Sequence, residues 1–61
     1  MFIYKIAFQS MSNKEREDIF KSFIQSGWKY IGSSNLANTN YFDKYLWDKE
    51  SEPIYPPNIS V

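Results

Sequence analysis

The sequence predicts a small α+β domain with the element order β-α-β-β. Three observations carry this: a period-two apolar pattern at the N-terminus, a capped amphipathic segment closed by glycine, and alternating aromatics around residue 45. A chain of 61 residues makes one domain at most. It buries only ~60% of its unfolded surface, so its core is marginal. Domains this small usually lean on disulfides, a metal or oligomerisation. The chain has no Cys and no His, which removes disulfides, thiolate sites, the commonest zinc ligand and the usual general base. Self-association or dense aromatic packing remains, and the chain carries five Phe, five Tyr and two Trp.

Residues 2–9 read as the first strand. Phe2, Tyr4, Ile6 and Phe8 fall on one face, the expected core face, and Ile3, Lys5, Ala7 and Gln9 fall on the other. Ser12-Asn13-Lys14-Glu15 is a capping box, in which hydroxyl and carboxylate each accept from the other residue's amide. The helix is predicted from Asn13 to about Ser26. Glu15, Glu17 and Asp18 suit the positive end of its dipole, and Ile19, Phe20, Phe23 and Ile24 form its apolar stripe. Gly27 suits the left-handed position after the helix, with Trp28 folding back onto Phe23.

Trp28 to about Ser33 reads as the second strand, 33–40 (SSNLANTN) as a hairpin connection, and Tyr41 to Asp48 as the third strand. The third strand is ambiguous in facing. Tyr41, Tyr45 and Trp47 share a face with Asp43, while Phe42 and Leu46 share the other with Lys44 and Asp48. Residues 49–61 (KESEPIYPPNISV) hold three prolines and read as an extended tail beyond a domain of residues 1–48. Tyr55-Pro56-Pro57 either docks in a partner's aromatic groove or folds back over this chain's own aromatics, with folding back favoured by the need for burial.

A helical crossover places the second strand parallel to the first, and the third fits between them. The predicted sheet is mainly antiparallel with order 1-3-2 and the helix on one face. The other face has no second layer in this chain. A homodimer packing sheet on sheet, or edge pairing of an outer strand, would supply one.

Gly27-Trp28-Lys29-Tyr30-Ile31-Gly32 is the most distinctive stretch. With the strand and helix before it, over residues 2–33, it resembles a class of small bacterial and phage domains of uncharacterised function. In that class a strand and helix end in Gly-Trp and further short strands follow. The class has no agreed catalytic residues to carry over, and the Pro-rich tail lies outside it. The bias towards Asn, Lys, Ser, Ile, Tyr and Phe resembles proteins of AT-rich phage genomes. That resemblance implies a phage-encoded protein acting on a host protein.

Charge and motif content narrow the function classes. Seven basic residues balance seven acidic ones, so there is no broad positive field for nucleic acid. The serines lack a base arrangement, and Gly27 and Gly32 do not make a phosphate loop. Asp43, Asp48, Glu50 and Glu52 lack calcium-loop spacing and read as a solvated acidic rim. No enzyme activity, cofactor or metal is expected. The leading expectation is a small protein-interaction module that binds and modulates or inhibits a host protein, with Trp28, Tyr30, Tyr41, Tyr45 and Trp47 as anchors. An alternative is nucleotide or single-strand nucleic-acid binding by Lys5, Lys29 and Lys44 beside an aromatic on the outer sheet face. A structural assembly subunit is the third reading. The N-terminus has no basic n-region or cleavage site, and no apolar run approaches ~18 residues. The expected location is therefore the cytoplasm, that of the host cell if the chain is phage-encoded, with no membrane partner.

Overall fold

The computed structural model describes residues 1–36 and 40–57. Four elements follow in order: β1 (Phe2–Ala7), α1 (Asn13–Ser26), β2 (Lys29–Leu36) and β3 (Asn40–Trp47). The sheet order is β1-β3-β2, and both outer strands run antiparallel to β3. The predicted α+β class, element order and strand order are all present.

Both ends of α1 are built as the sequence predicts. The Glu15 amide donates to Ser12 Oγ at 3.1 Å, and the Ser12 amide donates to Glu15 Oε1 at 3.3 Å. At the other end Gly27 takes φ +105°. Its amide donates to the Ile24 carbonyl and the Trp28 amide to the Phe23 carbonyl, at 3.1 and 3.0 Å. Those two bonds are a complete Schellman ending, and the Trp28 ring meets the Phe23 ring edge-on at 5.3 Å.

Two strand boundaries differ from expectation by more than one residue. β1 stops at Ala7 rather than residue 9, although the Phe8 amide still donates to the Tyr41 carbonyl at 3.0 Å. The turn that follows, closed by the Met11 amide on the Phe8 carbonyl, ends the ladder. β2 runs on to Leu36, through half of the expected connection, because Ser33 to Leu36 pair with Asp43 to Asn40. Ladder pairing outweighs the turn preference of Ser and Asn. The rest of that connection, residues 37–39, and the tail beyond residue 57 lie outside the described residues.

The core is a block of aromatic rings between α1 and one face of the sheet. Phe23, Trp28, Tyr45 and Trp47 are buried, with Tyr4, Ile6 and Ile19 packed against them. Phe23 stacks on Tyr45 with centroids 4.2 Å apart and planes 12° apart. Trp28 reaches Trp47 at 5.5 Å. Rings of this size each take roughly 150–250 Å² out of water, about 4–6 kcal/mol at 25 cal/mol/Å². Four of the twelve rings are thus spent inside the domain, while Phe2, Phe20, Tyr30, Tyr41 and Tyr55 stay exposed. Phe2, expected on the core face, is left half-exposed at the strand end, and Phe20 and Ile24 flank the helix stripe rather than completing its burial.

The tail closes this core. The Trp28 indole N–H donates to the Ile54 carbonyl at 2.7 Å, and the Trp47 indole N–H donates to the Ser51 carbonyl at 2.9 Å. Tyr55 contacts the rings of Tyr4 and Trp28, and Pro56 is fully buried. Lys49 donates from Nζ to the Gly27 carbonyl at 2.6 Å. It thereby brings positive charge to a helix end that has no basic residue in its last turn. Residues 49–57 fold back, as the need for burial suggested. Among the described residues no helix is long and apolar enough to cross a membrane.

Candidate functional site

Alternation along β3 decides where each candidate residue goes. Asp43, Tyr45 and Trp47 face α1 and are buried. Trp28, Tyr45 and Trp47 retain 3%, 1% and 1% of their surface, so the expectation that they anchor a partner is corrected. Their rings are the core, and the two indole N–H groups already have carbonyl acceptors in the tail. Tyr30 and Tyr41, also expected anchors, keep 39% each. Tyr30 leans edge-on against Phe20 at 5.5 Å, and Tyr41 lies against Phe8 at 5.8 Å.

Between those two tyrosines sits a residue that sequence reasoning missed. Arg16, the chain's only arginine, reaches from α1 to Asp43 with Nε to Oδ2 at 3.0 Å and Nη2 to Oδ1 at 2.9 Å. The Tyr30 hydroxyl donates to Asp43 Oδ1 at 3.1 Å. The guanidinium also lies 3.6 Å from the Phe8 ring centroid, within cation–π range. Asp43 is therefore not part of a solvated acidic rim. It is buried, and it holds helix and sheet together through a two-point ion pair. A signal was present in the sequence: an acid on the aromatic face of a strand demands a cation, and arginine suits a fork.

The pair sets the local electrostatics. Its hydrogen bond to Asp43 raises the Arg16 pKa further above the ordinary value. Burial, reinforced by the nearby Asp43 charge, pushes the Tyr45 phenol up to about 12. An open cleft of about 530 Å³ between α1 and β2 is floored by this cluster, with Phe20, Tyr30, Glu17 and Lys21 around it. Its charged groups are already matched, Arg16 to Asp43 and Lys21 to Glu17. Among the described residues no three His, Cys, Asp or Glu side chains converge to hold a metal ion.

The opposite sheet face is different. Register places Ile3 beside Leu46 and Lys29, Lys5 beside Lys44, and Ala7 beside Phe42. The three lysines named from sequence do share this outer face. Lys29 is matched by Asp48, with Nζ 2.7 Å from Oδ2. That contact raises the Lys29 pKa and lowers that of Asp48. Lys5 and Lys44 stand directly opposite each other across β1 and β3. Like charges so placed destabilise a sheet. Ile3 and Ile31 are about half-exposed, Phe42 and Leu46 partly so. Among the described residues, the helix and the returning tail cover only the other face.

Set beside known protein families, curated proteins and solved structures, the chain matches none of them.

Proposed function

We propose that this chain is a non-enzymatic interaction module that binds another protein through the bare face of its sheet. The observation carrying this reading is an apolar face, Ile3, Ile31, Phe42 and Leu46, with no covering layer among the described residues. The solvated face of an antiparallel sheet is normally polar, so apolar side chains gathered on it mark a contact surface. The small size of the chain and its lack of imidazole and thiol groups support a reading in which it acts by occupying a surface. That is how it would modulate or inhibit the protein it covers. The phage origin rests on the resemblance carried by residues 2–33 and by the composition.

The partner is a different protein rather than a second copy. In a face-to-face homodimer centred on this face, the two-fold axis would pass near Lys44, on the middle strand and in the middle row. The lysines of both copies would meet there, which is repulsive. Nucleotide or single-strand nucleic-acid binding on the same face draws support from Lys5 and Lys44 near Phe42. It has lost Lys29 to Asp48, and the neighbouring aliphatic side chains do not stack on bases.

A photo-crosslinking amino acid at position 3 or 46, against controls at 30 and 41, tests the reading in cells that make the chain. Adducts to one distinct protein from positions 3 and 46 alone support it. Adducts of twice the chain mass would identify a homodimer instead. Equal labelling from all four positions would remove the outer face as the site.

A further inference from the structure

Resting on that reading of the outer face, we infer that its partner presents a carboxylate set between apolar side chains, seated over the Lys5–Lys44 pair. The cations of the described structure carry this. Lys14 is matched to Asp18, Arg16 to Asp43, Lys21 to Glu17 and Lys29 to Asp48. Lys49 donates to the Gly27 carbonyl and lies over the Trp47 ring. Among the described Lys and Arg side chains, only Lys5 and Lys44 have no anionic or carbonyl partner. They are also the two placed directly opposite one another.

An uncompensated like-charge pair is an unusual occupant for the middle of an apolar face. The rows on either side put Ile3 with Leu46, next to the Lys29–Asp48 ion pair, and Ala7 with Phe42, next to Ser34. The face therefore offers an apolar strip, a doubly positive centre and a second apolar strip. A carboxylate lying between the two ammonium groups removes their repulsion and is held by charge-assisted hydrogen bonds. Apolar side chains before and after it cover the flanking rows. A phosphate chain would meet the same two charges but would leave the aliphatic flanks unmatched.

The test is selection of a random twelve-residue peptide library on the immobilised full chain at 150 mM salt. The parent is compared with Lys5→Gln/Lys44→Gln, Lys5→Glu/Lys44→Glu and Leu46→Ser, each checked for folding by circular dichroism. The expected result is peptides with Asp or Glu between apolar residues. Their Kd should rise at least ~10-fold in the double glutamine variant, about 1.4 kcal/mol, and the double glutamate variant should select Lys or Arg instead. Peptides that depend on Leu46 but ignore both lysines would overturn the carboxylate and leave the binding face standing. Peptides indifferent to Leu46 and both lysines, or no enrichment at all, would overturn both. Binding of a twenty-nucleotide oligothymidine at the same salt, lost in the double glutamine variant, would replace the acidic protein with nucleic acid.

Discussion

The two faces of the sheet are made by the same strands and share almost nothing else. On one, rings from β1, β2 and β3 interlock under α1, and a tail returns to accept both indole N–H bonds. On the other, aliphatic side chains and an opposed lysine pair meet no layer among the described residues. Neighbours one residue apart, such as Tyr45 and Leu46, serve different ends because successive side chains point to opposite faces. A strand of this kind divides its residues between stability and recognition, and aromatic content alone does not say which residue does which.

The largest expected effect separates the faces directly. Trp28→Ala removes a buried ring and should cost about 4 kcal/mol, enough to leave a domain this small unfolded. Leu46→Ala, on the bare face, should cost about 1 kcal/mol or less. Urea unfolding followed by circular dichroism measures both, and similar losses would erase the distinction between the faces.

Next comes the ion pair on the covered side. Arg16→Met should destabilise by about 3 kcal/mol, because it leaves the Asp43 carboxylate buried without its cation. Arg16→Met with Asp43→Leu should recover most of that loss. A double variant no more stable than the single would show that the fork supplies more than charge balance.

The two glycines sharpen the comparison at smaller scale. Both have positive φ, +105° at Gly27 and +107° at Gly32, so alanine is strained at either. A Cβ on Gly27 would lie 3.1 Å from Trp47 Cζ3, whereas one on Gly32, at the β2 bulge, would meet nothing within 4 Å. Gly27→Ala should cost about 2 kcal/mol and Gly32→Ala about 1. The order of their thermal midpoints tests whether packing adds to the backbone strain.

The smallest effect at neutral pH belongs to Tyr45. Its phenol ionises near 12 in the fold against 10.0 ordinarily, so the folded state holds the proton longer than the unfolded chain. Stability should therefore be full below pH 10 and fall as pH rises from about 10 towards 12. Tyr45→Phe should flatten that fall. An unchanged alkaline slope in Tyr45→Phe would assign it to other groups.

Much of the backbone was legible because its signals are local. Ser12 and Glu15 are three residues apart, and Gly27 follows the helix they start. Such contacts form wherever the chain is helical, so the residues announce them. The candidate surface was less legible. Tyr45 and Trp47 look from sequence like rings without a home, because what buries them lies far along the chain. The strand-end drift of Phe2 and the run of β2 through Ser33 and Ser34 likewise depend on neighbouring strands.

The sequence by itself determined the element order, the helix caps, and the lack of thiol and imidazole chemistry. Each follows from composition, spacing or a bond between near neighbours. Only the tertiary structure decided which face of β3 is covered, that Asp43 takes Arg16 across 27 residues, and that Trp28 finds its acceptor in the tail 26 residues away. These choices turn on long-range contacts whose loop-closure entropy must be recovered by the whole core together, and no short stretch of sequence carries that sum.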